Sequence, residues 1–215
     1  GFQYRGEGYD MNFGLGYQSA SLSADRTFPI SISTDKTFAN VLPMATLRIG
    51  VKRTNNIQIL YRTATSPPPI GQLENTIDNT NPLLLSAGNP DLKQNYSHSL
   101  TARYTTTSLQ SMDSFFLMLS GGITKDYIGS SLLLAQKDTL LEGGVILKQG
   151  SQLTRPLNLG NQNTLRAMAT YSFPFTFISS NVNFNSGFTF NQTASLINGA
   201  TNPAKTTTLS EGFGV

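Results

Sequence analysis

The 215-residue chain has no cysteine, no tryptophan and a single histidine, and only 13% of its residues are charged. Without cysteine there is no disulfide framework, no thiolate metal site and no redox motif, so thiol usage says nothing about compartment. A typical soluble domain is about 25% charged, roughly twice the share found here. Fifteen basic and twelve acidic residues give a net charge of +3 with no Lys/Arg run. That excludes the electrostatic footprint of a nucleic-acid binder. The longest apolar run, Phe115-Phe116-Leu117-Met118-Leu119, is far short of the roughly 18 residues of a membrane helix. Residues 1–20 hold no basic segment followed by an apolar stretch. No signal peptide is expected, and the chain is either cytoplasmic or an internal piece of a longer one.

What is present is small, polar and neutral: 25 Thr, 22 Ser and 18 Asn, beside 13 Phe and 8 Tyr. The aromatics exclude a disordered chain. Alternation with period 2 sorts the two populations. Tyr9, Met11, Phe13, Leu15 and Tyr17 alternate with Asp10, Asn12, Gly14, Gly16 and Gln18. Val182, Phe184, Phe188 and Phe190 alternate with Asn181, Asn183, Asn185, Gly187, Thr189 and Asn191. Similar patterns occupy 56–62, 96–104, 165–173 and 209–215, where Glu211 falls on the face of Leu209 and Phe213. No window of comparable length has a helical period.

Eight strands are predicted, near 8–24, 40–51, 56–65, 94–107, 112–136, 143–172, 177–192 and 206–215. Short links at 52–55, 108–111 and 173–176 alternate with long ones at 25–39, 66–93 and 193–205, and 137–142 forms the tip of a long strand pair. The fold class is therefore all-β, an antiparallel up-and-down meander with tight turns at one end and extended loops at the other. Outer-membrane barrels share this asymmetry, with tilted strands of roughly 9–11 residues crossing the bilayer. The polar faces are too poor in ions for a water-facing surface and suit a lumen or a plug contact, with the Phe/Tyr/Leu faces turned to lipid. Tyr9, Tyr17, Tyr61, Tyr104 and Tyr171 stand where interfacial girdles fall. At 115–119 both faces are apolar, so Phe116 and Met118 call for a plug or another subunit.

The long loop carries a family resemblance. After Tyr61-Arg62 come Pro67-Pro68-Pro69, Gln72-Leu73, then Asp78-Asn79-Thr80-Asn81-Pro82, then Gly88-Asn89-Pro90-Asp91-Leu92-Lys93-Gln94-Asn95. The stretch resembles the signature of the outer-membrane β-barrel proteins of Bacteroidota in the TonB-dependent receptor superfamily, with Gln94 and Asn95 where Pro and Glu are usual. Phe38-Ala39-Asn40-Val41-Leu42-Pro43 is similar to the family's approach to the preceding strand. The residues that carry the motif are Asp78, Asn79, Asn81, Pro82, Gly88, Asn89, Pro90, Leu92 and Lys93, read as structural turn-formers with a ligand contact as the alternative. The resemblance implies a plugged barrel of about 22 strands, of which residues 1–215 are an internal segment without the plug, the TonB box or the closing strand. An eight-stranded barrel would need its interior filled by side chains, which Asn/Gly/Thr rows do not supply.

Catalysis has little to stand on. His98 has no Gly-x-Ser-x-Gly elbow to serve and reads as a wall or interface residue. No P-loop, dinucleotide fingerprint or metal-ligand spacing is present, so no cofactor and no metal are expected, nor an enzyme. By resemblance the function is nutrient uptake across the bacterial outer membrane. The partners are outer-membrane lipid, the plug domain and remaining strands of the parent chain, and the TonB complex; a surface lipoprotein or other subunit is a further candidate. Nucleic acid is not among them. Two alternatives are a non-transporting scaffold barrel in a surface secretion or adhesion complex, and a soluble β adhesin module.

Overall fold

The computed structural model describes residues 1–26, 32–52 and 54–215. The chain opens with a hairpin of β1 (Phe2–Gly6) and β2 (Tyr9–Arg26), then descends β3 (Ile32–Lys52) and rises β4 (Asn55–Ser66). The long connection holds one helical turn, α1 (Ile70–Leu73), and the short strands β5 (Ile77–Asp78) and β6 (Leu84–Ala87). Next come β7 (Asn95–Thr107), β8 (Ser114–Lys125), β9 (Ile128–Leu134), β10 (Thr139–Leu140), β11 (Ile146–Leu147) and β12 (Gln152–Asn158). The last are β13 (Gln162–Phe175), β14 (Ser180–Thr193), β15 (Leu196–Ile197), β16 (Ala200–Thr201) and β17 (Ala204–Gly214).

Nine of these strands form one antiparallel sheet in the order β1-β2-β3-β4-β7-β8-β13-β14-β17. This is the expected up-and-down wall. The pairing keeps faces together across it: Phe13 lies opposite Phe2 and Ala45, Ile59 opposite Leu47 and Ala102, and Phe188 opposite Ala167 and Leu209. On the other face Asn12 lies opposite Gln3 and Thr46, and Asn185 opposite Thr170 and Gly212. Because strand period is 2, one register fixes every side chain's face.

Among the described residues the apolar face has no second layer. Leu15 is 65% exposed, Tyr17 73% and Phe213 65%, which no soluble sandwich core would be. From Tyr9 to Tyr17 the apolar band runs roughly 27 Å along the strand, or about 21 Å high at a ~40° tilt. Aromatics cluster at both edges of the band. Near the short turns, Tyr4 stacks on Tyr9 at 5.7 Å, Tyr104 meets Phe115 at 6.2 Å, and Phe184 meets Phe213 at 5.2 Å. At the other edge Tyr61, Tyr96 and His98 gather, with Tyr96 and His98 rings 4.9 Å apart. The girdle tyrosines thus divide: Tyr9, Tyr104 and Tyr171 at one edge, Tyr17 and Tyr61 at the other.

Several boundaries differ from the sequence reading. β1 was not expected; its five residues are too few to establish an alternation by themselves. The link placed at 25–39 is mostly strand, since β2 and β3 pair as far as Arg26 opposite Ile32; residues 27–31 lie outside the described residues. Beyond Tyr17 this hairpin changes character: Ser19, Ser21, Ser23 and Asp25 continue the face that was apolar, opposite Ala39, Thr37, Asp35 and Ser33. The arm has left the apolar band for water. β3 pairs with β4 only from Met44 onward, because Pro43 has no N–H to offer that edge. The Thr63 hydroxyl donates to the Pro43 carbonyl at 2.8 Å and the Tyr96 hydroxyl to that of Val41 at 2.7 Å.

The strand expected at 112–136 is two strands, β8 and β9, and the one expected at 143–172 is three, β11, β12 and β13. Asp126 (φ 51°) and Gly160 (φ 71°) turn the hairpin out of the wall, and the Tyr127 N–H donates to the Gly160 carbonyl at 3.0 Å. Beyond the bend, β9 and β12 enter a second sheet, ordered β16-β15-β9-β12-β6-β5. The loops 66–93 and 193–205 are therefore not bare connections; they supply β5, β6, β15 and β16 to that sheet.

Candidate functional site

The second sheet is a cap at the long-connection end of the wall, assembled from three separate stretches of chain. β12 is its hub, antiparallel to β9 from Gln152 opposite Leu134 to Asn158 opposite Ile128, and parallel to β6 from Gln152 opposite Leu84. The core lies here rather than in the wall. Leu85, Ala135 and Leu147 are buried together, packed by Ile77, Leu141, Val145 and Leu153. Leu73, Leu92 and Pro68 are also buried. The Pro-rich entry and Gln72-Leu73 of the motif thus anchor the cap through apolar burial.

The remaining motif residues divide by role. Asp78 accepts hydrogen bonds from the Thr80 N–H and hydroxyl at 3.0 and 2.8 Å, and these hold its carboxyl below the usual range, the backbone N–H being the larger cause. The Asn81 side chain accepts from the Leu83 N–H at 3.0 Å. These are Asx turns, and Asp78, Asn79, Asn81 and Pro82 are all exposed. Gly88, Asn89 and Leu92 are buried, Pro90 is half-buried, and Lys93 is exposed. The Asn89 amide donates to the Pro156 carbonyl at 3.1 Å while its oxygen accepts from the Asp91 N–H at 3.0 Å. Arg155 Nε donates to the Gly88 carbonyl at 3.0 Å. Asn158 closes the seam, accepting from the Lys93 N–H at 2.9 Å and donating to the carbonyls of Lys93 and Asp126.

The motif is thus brought together as a seam against β12, with its Asp78–Pro82 part left at the surface. Arg155, Pro156 and Asn158, 65–67 residues distant, were not found from sequence. Nothing local marks them, since their role exists only once β12 lies beside the motif.

Gly88 is required by space. A Cβ there would overlap the Glu74 carbonyl oxygen and crowd that of Gln72. Gly88→Ala is expected to destabilise the cap by about 1–3 kcal/mol as overpacking. Limited proteolysis of the cap loops checks this; unchanged cleavage rates would refute it.

A cavity of about 940 Å³ opens beside the seam, lined by Gln72, Glu74, Asp78, Glu142 and Thr154 among others. A second, of about 770 Å³, lies between the β3 arm and the start of β7, with Lys36, Lys93, Lys125, Asp91 and Asp126 on its walls. Among the described residues no group of three His, Cys, Asp or Glu side chains is placed to hold a metal ion. His98 sits in the wall, its Nδ1 sharing a 2.8 Å hydrogen bond with the Tyr61 hydroxyl.

At the tip of the cap, Lys148 Nζ donates to Asp138 at 2.9 Å and the Gln149 N–H donates to its other oxygen at 2.8 Å. Lys148 is the larger cause and Gln149 the second of a carboxyl held below its usual range. With the folded pKa depressed, this clasp is fully present above the ordinary carboxylate value and is lost as pH falls through the depressed one. The Gln149 amide resonance should titrate with a midpoint below about 3.9. A midpoint at or above that value would refute the clasp.

The family model described as outer membrane protein beta-barrel family matches residues 2–213. No curated protein matches the chain.

Proposed function

Because the chain belongs to the outer membrane protein beta-barrel family and its place is the outer membrane, we propose that it is part of the wall of a TonB-dependent-receptor-like transporter for nutrient uptake, in a bacterium of the Bacteroidota. The observation that carries this reading is the cap. The Gly88–Lys93 motif fastens its own long connection to β12 in a second, and β15 pairing with β9 adds a third, giving one folded body at the end of the wall away from the short turns. A receptor that selects its cargo at the cell surface needs such a fixed body there, since binding residues act from loops held by a rigid scaffold.

Strand direction supports a larger wall. Nine strands that alternate in direction leave β1 and β17 running the same way, so the two cannot pair antiparallel with each other. Bacterial barrels of one chain have even strand numbers, and an odd number of further strands completes this one. In this reading the partners are lipid on the apolar face, the plug and remaining strands of the parent chain, and the TonB complex. The wall contributes no catalytic step.

The test is uptake of radiolabelled candidate nutrients by cells carrying the full-length protein, with and without the inner-membrane energy complex. Loss of uptake with surface binding retained supports the transporter; uptake indifferent to that complex overturns it. One observation favours a second reading, a scaffold barrel in a surface complex. Leu140 and Ile146, opposite one another on β10 and β11, are 73% and 51% exposed on the cap's outer surface. Co-purification of a stoichiometric surface protein without energised uptake would support it.

A further inference from the structure

The wall parts beside the β3 arm. β4 pairs with β3 no further than Arg62 opposite Met44, and continues to Ser66 against β7 alone. Beyond Met44 the edge of β3 therefore stands apart from β7, and the cavity of about 770 Å³ lies in that gap. Its aromatic side is held in place by hydrogen bonds. The Tyr96 hydroxyl reaches across the gap to the Val41 carbonyl, its ring lies 4.9 Å from that of His98, and His98 is tied to the Tyr61 hydroxyl at 2.8 Å.

Register sets the depth of this cavity. Lys125 lies opposite Tyr96 and Ile123 opposite His98, all on the apolar face and at its outer girdle. Just below, Gly121 lies between Leu100 and Leu165, and nothing stands within 4 Å of where its side chain would be. The apolar face thus runs up a shallow trough, past Leu100 and Ile123, to the mouth of the cavity. That mouth stands at headgroup level, where interfacial tyrosines mark the edge of the hydrocarbon. Three lysines line it: Lys36 from the β3 arm, Lys93 from the end of the motif and Lys125 from the top of β8. Asp91 and Asp126 line it too, but among the described residues none of the three lysines forms an ion pair. An ammonium group is a compact phosphate binder, and basic pockets beside membrane segments take phosphorylated headgroups. A soluble anion makes no use of the trough, and an uncharged lipid makes none of the lysines. Only an anionic amphiphile matches both.

We propose that this cavity binds the headgroup of a phosphorylated glycolipid of the outer leaflet. Its phosphate meets Lys93 and Lys125, its sugar lies against Tyr96 and His98, and an acyl chain runs down the trough over Gly121. The site rests on the reading that the long connections face outward. It goes further in placing a lipid-selective site on the outside of the wall, and it gives the exposed Lys93 of the motif a ligand.

The experiment uses the full-length protein extracted from its membrane in mild detergent. Native mass spectrometry should show a phosphorylated glycolipid retained on the chain. Combining Lys93→Gln with Lys125→Gln should lower its occupancy about tenfold or more, and the two Lys→Arg changes should keep most of it. Lys137→Gln, on an exposed lysine of the cap tip, should leave occupancy unchanged. Should the Gln variant not reach the membrane, the parent protein decides alone. After delipidation it should rebind phosphorylated glycolipid from the same membrane, and the enzymatically dephosphorylated form about tenfold more weakly or worse. Excess inorganic phosphate should not displace the lipid. Equal retention by the Gln variant, an equal loss with Lys137→Gln, equal binding of the dephosphorylated form, or displacement by inorganic phosphate overturns the lipid site. Orientation is read separately, since Lys137→Cys should react with an impermeant maleimide on intact cells. Reaction only after the outer membrane is broken overturns the outward reading on which the site rests.

Discussion

Arginine in place of Phe13 or Phe188 is expected to destabilise the wall by about 2–4 kcal/mol, the cost of a cation on the lipid face near the bilayer midplane. Both residues lie inside the apolar band, Phe13 between Phe2 and Ala45, Phe188 between Ala167 and Leu209. No acid stands directly opposite either; a guanidinium at Phe13 would have only hydrocarbon or a distorted lipid surface to meet, whereas at Phe188 the diagonal Glu211 offsets part of the cost. One residue along the strand the outcome should reverse. Asn12 faces Gln3 and Thr46, and Arg there meets water or a protein surface. Asn185 is the weaker control, because its oxygen accepts from the Thr170 hydroxyl at 2.9 Å and Arg forfeits that bond, worth about 1 kcal/mol. Denaturant unfolding of the full-length protein in lipid vesicles measures all four. Equal costs at Phe13 and Asn12 would mean that the faces are assigned the wrong way or not separated by solvent at all.

That experiment probes the part of the fold that sequence made readable. Lipid on one side and water on the other impose a period of 2, which Tyr9–Tyr17 displays without exception and 181–191 with Ser186 alone interrupting the apolar face. The same rule explains the errors. No Pro or Gly interrupts Ile123–Ile128, so one strand is read where the chain bends out of the wall. The left-handed residues Asp126 and Gly160 mark the bend, and Asp, though enriched in that conformation, adopts it too seldom to end a strand by itself. The β3 arm lacks a strand pattern because its outer face becomes Ser and Asp once it passes the band, although the backbone pairing persists. The family motif marks turns in the long connection, but not the strand those turns pack against. The burial of Asn89 and Gly88 depends on β12, and a contact across 67 residues leaves no trace in local pattern. The double-sided apolar stretch at 115–119 resolves by register: Phe115, Leu117 and Leu119 share the face of Tyr104, Tyr171 and Ala167, while Phe116 and Met118 join Arg103 and Met168.

Leu147→Ala should loosen the cap by about 2–5 kcal/mol while leaving the wall as it was. Leu147 is 0% exposed at the centre of the Leu85–Ala135 cluster, and truncating it leaves a cavity bordered by Leu141, Val145 and Leu153. Leu140, on the same small hairpin but 73% exposed, serves as the comparison, and Leu140→Ala should change little. Hydrogen exchange reads the difference residue by residue. The Ala135 N–H, which donates to the Ser151 carbonyl at 2.9 Å, should exchange about 30-fold to a few thousand-fold faster in the Leu147 variant. Amides in the β13–β14 ladder should not follow, because the buried cluster around Leu147 is built from cap residues. The two bodies are stabilised against different solvents. The cap hides its leucines from water as a soluble domain does, whereas the wall leaves Leu15 and Phe213 on its surface for lipid to cover. Equal acceleration of the β13–β14 amides would show instead that cap and wall unfold as one cooperative unit. The motif seam through Asn89 and Asn158 would then be the coupling between them, and a cap fixed by its own core would no longer explain a separate binding body.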